Sequence, residues 1–72
     1  MNQAEDFVAK FEQFDGSASE LRAIAHYRGA HVEVPRWDGG EVRSWATWPD
    51  GSVATWRQPQ HGYDLLLRVD VT

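Results

Sequence analysis

Two turn signals divide the second half of this chain into segments of strand length. Asp38-Gly39-Gly40 and Pro49-Asp50-Gly51 each combine residues that start turns with glycine, which tolerates a positive φ. The segments on either side of these signals alternate apolar and polar residues with a period of two, as half-buried strands do. Residues 59–62 are predicted to form a further loop. We therefore predict a four-stranded antiparallel β-meander, with strands over residues 31–36, 41–48, 52–58 and 63–71.

The first thirty residues have the helical period instead. Apolar residues recur on one face of a predicted helix over residues 3–14, and Asp15-Gly16 then interrupts the pattern. Ser17-Ala18-Ser19-Glu20 is a capping box and predicts the start of a second helix over residues 18–28. The apolar stripe of the first helix is typical of core packing, and it consists of Ala4, Phe7, Phe11 and Phe14.

These elements predict one α+β domain over residues 1–72, with both helices packed on one face of the meander. A three-residue loop at Pro49-Asp50-Gly51 pairs Ala46 with Ala54. A three-residue loop at Asp38-Gly39-Gly40 pairs Val32 with Ala46 and keeps Val34 on the core face. A four-residue loop over residues 59–62 pairs Leu67 with Ala54. Because a slip of one residue moves every side chain to the other face, this register also fixes which residues point outward.

The face that the helices leave open is the candidate functional surface. Trp45 lies at its centre, and an exposed aromatic residue with an arginine rim is typical of a binding surface. The remaining candidates are Arg43, Arg57, Arg68, Leu66, Val53, Trp37 and His31. The alternative interpretation is that these are ordinary strand residues, and that the arginine side chains simply cover Trp45.

The net charge and its position along the chain favour one class of partner. The net charge is −4, and it comes from the first 20 residues, where five acidic residues face only Lys10. General electrostatic binding of nucleic acid needs a basic face, so a protein partner is favoured, with the acidic helices as a possible second contact surface. Two alternatives stay open, namely single-stranded nucleic acid stacked on Trp45 and Trp37, and homodimerisation through the open face.

The sequence predicts neither catalysis nor a cofactor. The histidines at positions 26, 31 and 61 lack the spacing of metal ligands, and no serine lies in a glycine elbow. No glycine-rich phosphate loop is present. The chain has no cysteine, no apolar run long enough for a membrane span and a polar first ten residues, so we expect a cytosolic protein.

In size, acidity and lack of catalytic motifs the chain resembles the small proteins of phages and mobile elements that inhibit larger host machines, such as anti-CRISPR proteins. The resemblance is one of general character, and no motif carries residue roles over to this sequence. It implies a non-enzymatic inhibitor that binds a larger bacterial complex.

Overall fold

The computed structural model describes residues 1–58 and 67–72, and it has the predicted α+β class, with two helices and an antiparallel sheet. In chain order the elements are α1 (Gln3–Phe11), β1 (Gln13–Phe14), α2 (Ala18–Tyr27), β2 (His31–Val32), β3 (Arg36–Asp38), β4 (Glu41–Thr47), β5 (Val53–Gln58) and β6 (Leu67–Val71).

The sheet is more complex than the predicted four-stranded meander. Its six strands have the order β1-β6-β5-β4-β2, and β3 lies beside β2 along the same side of β4. The strands β4, β5 and β6 follow one another as antiparallel neighbours, as predicted. Two features differ: the first predicted strand is divided into β2 and β3, and β1 is added at the opposite edge.

The first helix ends earlier than predicted. It stops at Phe11 instead of continuing to Phe14, and Gln13 and Phe14 pair with Arg68 and Leu67 of β6. The Phe14 ring still meets the Phe11 ring edge-on, with 6.0 Å between the ring centroids. The helical stripe was therefore a correct indication of burial for Phe14 but a wrong indication of its backbone conformation.

The turn between β3 and β4 has two residues, where the sequence predicted three. Asp38 pairs with Glu41, and both intervening glycines have positive φ, 61° at Gly39 and 87° at Gly40, as a type I′ hairpin turn requires. The predicted pairing of Val32 with Ala46 is nevertheless present.

A β-bulge allows the two-residue turn and the pairing of Val32 with Ala46 to occur in the same edge strand. Four residue steps from Val32 to Arg36 lie opposite only three steps from Ala46 to Arg43, so the edge strand carries one extra residue. Val34 lies within the bulge and is 82% exposed. Its predicted place on the core face was therefore wrong, because the extra residue breaks the alternation.

The last strand is shifted by four residues from its predicted register. Ala54 pairs with Val71 and Trp56 pairs with Val69, whereas the sequence predicted Leu67 opposite Ala54. A shift by an even number of residues preserves the alternation between faces, so Val69 replaces a leucine in the core. The predicted strand residues 63–66 lie outside the described residues.

Both helices share one apolar core with a single face of the sheet. Helix α1 packs against β5 and β6, and α2 packs against β2, β4 and β5. The Phe7 ring lies 5.1 Å from the Trp48 ring and 5.9 Å from the Trp56 ring, measured between centroids. The buried residues are Ala4, Phe7, Ala18, Leu21, Ala25, Ala30, Ala46, Trp48, Ala54, Trp56 and Val69.

The hairpin between β4 and β5 also caps helix α1. Asp50 Oδ2 accepts a hydrogen bond of 2.9 Å from the Gln3 backbone N–H, and Ser52 Oγ accepts one of 3.0 Å from the Ala4 N–H. Hydrogen bonds from the Ser52 hydroxyl, then from the backbone N–H groups of Gln3 and Ser52, lower the pKa of Asp50 below 3.8. The residues that close this hairpin therefore also satisfy two backbone N–H groups at the N-terminus of α1.

We expect this cap to make stability depend on pH in the acid range. Because the pKa of Asp50 is lower in the folded state than in the unfolded state, its contribution is complete above 3.8 and declines as the pH falls through the lowered value. Asp50→Asn should therefore lower the urea midpoint at pH 7 and reduce the loss of stability on acidification. Asp15→Asn removes the same charge from an exposed loop and is the control for the change in net charge.

Candidate functional site

The outward face of the sheet carries a row of arginines at neighbouring register positions. Arg36 pairs with Arg43, Arg43 with Arg57, and Arg57 with Arg68, across the strands β3, β4, β5 and β6. Sequence reasoning placed Arg43 and Arg57 together but put Arg68 opposite Val53. It did not include Arg36, whose position depends on the bulge. The Gly39-Gly40 pair, typical of a two-residue hairpin turn, was the signal that could have found it.

Trp45 lies beside this row, and it is half-buried. The guanidinium carbon of Arg36 lies 4.4 Å from the centre of the Trp45 ring, and that of Arg43 lies 5.9 Å from it. Both distances are within the range of cation–π attraction. The arginine side chains therefore cover part of the indole, and the remaining part meets solvent.

Acidic residues alternate with the arginines. Asp38 Oδ2 lies 3.2 Å from Arg43 Nε, and Glu33 Oε2 lies 3.6 Å from an Arg36 nitrogen. Glu41 bridges two members of the row, with Oε2 at 3.4 Å from Arg57 Nη1 and 4.0 Å from Arg43 Nη2. All of these pairs are partly exposed, so each contributes little to stability.

The residue beside Trp45 on the outward face is buried. Thr55, the register partner of Trp45, is only 3% exposed, and its hydroxyl donates a hydrogen bond of 2.8 Å to the Ser44 carbonyl. Val53 is half-buried, whereas His31 is exposed on the neighbouring register row. The predicted candidates therefore differ in access, and Leu66 lies outside the described residues.

A small depression lies at the β3 edge of this face. It is lined by Arg36, Trp37, Asp38 and Trp45. Trp37 pairs with Val42, so the alternation directs it away from the outward row, yet 63% of its surface is exposed at the edge. The two indoles thus border one surface that combines aromatic, cationic and anionic groups.

The described residues offer no metal site, since no group of three or more histidine, cysteine, aspartate or glutamate side chains is positioned to hold an ion there. Within residues 1–58 and 67–72, no helix has the length and apolar character needed to cross a membrane. His26 and His31 are both exposed. His61 lies outside the described residues.

No protein-family model, curated protein or solved structure matches this chain.

Proposed function

We propose that this protein is a small non-enzymatic binding module that recognises another protein through its outward sheet face. Trp45 is the anchor, and Arg36, Arg43 and Arg57 surround it with charged donors. The single observation that carries the proposal is the stacking of Arg36 on the half-buried Trp45 ring at 4.4 Å. Tryptophan and arginine are the residues most enriched among interface hot spots.

Arg36, which covers part of Trp45, is held only weakly in its place on this face. The Arg36 side chain is 64% exposed, and its polar contact in the described part of the chain is the long ion pair with Glu33. An exposed ion pair of this kind is worth only about 0–1 kcal/mol and an exposed cation–π contact about 0.5–1 kcal/mol, so a partner can move Arg36 at a cost of at most about 2 kcal/mol. The Trp45 ring then becomes available without any change in the core behind the sheet.

Charge favours a protein over a nucleic acid as the partner. Glu33, Asp38 and Glu41 alternate with the arginines, and the whole chain has a net charge of −4. Phosphate binding needs a surplus of positive charge over the contact surface, which this face lacks. Single-stranded nucleic acid, stacked on Trp45, is therefore the second candidate.

Partner binding by strand addition is disfavoured at the β2–β3 edge. The bulge between Val32 and Arg36 interrupts the strand there, and Pro35 has no backbone N–H to donate. The outward face is therefore a better contact surface than this edge. We further propose a cytosolic inhibitor of the phage or mobile-element kind, in which binding to a larger bacterial complex is the whole activity.

Trp45→Ala tests the proposal. With the wild-type protein as bait, proteins captured from a bacterial lysate are identified by mass spectrometry, and the affinity of the purified partner is then measured by calorimetry. We expect the variant to lose about 2 kcal/mol or more of binding free energy, which is roughly thirtyfold in affinity. Its far-UV circular dichroism should match that of the wild type.

Tyr27→Ala is the matched control, because Tyr27 is an exposed aromatic residue on α2, on the other side of the sheet. This control should capture the partner as well as the wild type does. Equal capture by Trp45→Ala would refute the proposal. If the wild-type protein binds an oligonucleotide, captures no protein partner, and loses the oligonucleotide in Trp45→Ala, the second candidate is favoured. If the wild-type protein forms a concentration-dependent dimer that Trp45→Ala abolishes, homodimerisation is favoured.

A further inference from the structure

The chain contains three Asp-Gly pairs, and the structure constrains them to different degrees. They are Asp15-Gly16, Asp38-Gly39 and Asp50-Gly51. In such a pair the glycine nitrogen can attack the side-chain carboxyl carbon of the aspartate, because glycine has no side chain to obstruct the approach and leaves the backbone free to rotate. Each pair is therefore a place where the main chain can rearrange, provided that neither group is held by other contacts.

The pair Asp50-Gly51 is held at both reacting groups. Asp50 Oδ2 accepts a hydrogen bond of 2.9 Å from the Gln3 N–H, and Oδ1 accepts one of 2.8 Å from the Ser52 N–H and another from the Ser52 hydroxyl. The Gly51 N–H donates a hydrogen bond of 2.9 Å to the Trp48 carbonyl. Several hydrogen bonds must therefore break before this nitrogen can reach this carboxyl group.

The pair Asp38-Gly39 is held at the carboxylate by one exposed contact. Asp38 lies at the end of β3 opposite Glu41, and its Oδ2 lies 3.2 Å from Arg43 Nε. The Asp38 side chain is 56% exposed, so this ion pair is easily broken. This pair is therefore intermediate in constraint.

The pair Asp15-Gly16 is the least constrained. Asp15 is exposed and lies between β1 and α2, outside both elements. Within the part of the chain that the structure describes, neither its carboxylate nor the Gly16 N–H has a hydrogen-bond partner. A Cβ at Gly16 would lie 2.6 Å from a Phe14 ring atom and 2.8 Å from a Glu20 carboxylate oxygen. Packing thus requires glycine at the position that makes Asp15 reactive.

We propose that Asp15 is a site of spontaneous modification, at which aspartate isomerises to isoaspartate. The Gly16 nitrogen forms a bond to Asp15 Cγ, and the proton of that nitrogen leaves with the carboxyl hydroxyl as water. Water then adds to the resulting succinimide ring and opens it at either carbonyl carbon, which gives aspartate or isoaspartate. The product is an isomer of the original chain, so no oxidant or reductant takes part.

The product has a main chain that is longer by one methylene group, immediately before the start of α2. Ser17 caps this helix by accepting a hydrogen bond of 3.1 Å from the Glu20 N–H, and Phe14 lies in β1 with its ring against Phe11. The added length displaces either the strand or the cap. The isomerised protein should therefore have a lower urea midpoint than the original protein.

Incubation of the full chain at neutral pH, followed by peptide mapping with an isoaspartate-specific methyltransferase, tests the inference. We expect isoaspartate to accumulate first at Asp15. Conversion at Asp38 should be slower by about fivefold, the factor of an exposed ion pair. Conversion at Asp50 should be slower by about tenfold or more, the factor of a hydrogen bond to a charged group. In concentrated urea the three rates should become alike, because the folded contacts are lost.

Two variants separate the effect of the fold from that of the sequence. Asp15→Glu keeps the charge but would have to close a larger ring, so isoaspartate at this position should disappear. Ser52→Ala removes a hydroxyl that donates to Asp50, so conversion at Asp50 should rise by about tenfold while conversion at Asp15 stays unchanged. Equal conversion of Asp15 and Asp50 in the folded wild-type protein would overturn the inference, and so would an unchanged rate at Asp50 in Ser52→Ala.

Discussion

Phe7→Ala is expected to lower the free energy of unfolding by about 3–5 kcal/mol, the usual cost of removing a buried phenyl ring. Phe7 is fully buried, and its ring lies within 6 Å of the rings of Phe11, Trp48 and Trp56. It therefore joins α1 to the central hairpin at two points, the residue that follows β4 and the middle of β5. A domain of this size has a total stability of roughly 4–11 kcal/mol, so the variant should lose a large share of it.

Urea denaturation followed by far-UV circular dichroism measures this effect. Tyr27→Ala is the control, because it removes an aromatic ring that is 89% exposed and should change stability by less than about 0.5 kcal/mol. A Phe7 variant with the stability of the control would contradict the described core.

The sequence predicted the central hairpin well because its signals are local. The Pro49-Asp50-Gly51 turn and the alternation on both sides of it determine the pairs Ala46–Ala54 and Ser44–Trp56, and the structure has both. The capping box at Ser17 was equally local, and Ser17 Oγ accepts a hydrogen bond of 3.1 Å from the Glu20 N–H. Local signals of this kind do not depend on the rest of the fold.

The errors arose where two local preferences compete. The Gly39-Gly40 pair favours a two-residue turn, whereas the burial pattern of Val32 and Val34 favours a three-residue loop. The protein resolves the competition with a bulge, which sequence alternation alone does not reveal. Phe14 likewise satisfies its burial in a strand, because the helical period constrains burial and not the backbone beyond the helix end.

The bulge and the register of β6 determine which arginines belong to the candidate site. Arg36 stacks on Trp45 because the bulge brings it opposite Arg43, and Arg68 is the register partner of Arg57 because β6 is shifted by four residues. The register of β6 depends on the connection over residues 59–66 and on tertiary packing, which single-sequence patterns do not determine. The sequence could therefore predict which residues of β4 and β5 lie on the outward face, but it could not predict that four arginines occupy neighbouring register positions across four strands.

Trp48→Ala is expected to be as destabilising as Phe7→Ala, for a second reason in addition to lost packing. The Trp48 ring is buried at the end of β4, and its Nε1 donates a hydrogen bond of 3.1 Å to the Arg28 carbonyl. This bond ties the C-terminal end of α2 to the sheet. We expect a loss of about 3–5 kcal/mol in the same urea experiment.

Two further variants separate the causes of that loss. Trp48→Phe keeps an aromatic ring but removes the donor, so it should lose less than Trp48→Ala and loosen the end of α2, seen as faster amide exchange near Arg28. Trp37→Ala removes a largely exposed indole and should change stability by less than about 1 kcal/mol.

A double-mutant cycle tests the packing between Phe7 and Trp48. Because the centroids of these two rings lie 5.1 Å apart, the stability of the double alanine variant should deviate from additivity by about 0.5–1.5 kcal/mol. Strict additivity would contradict direct packing between these two rings.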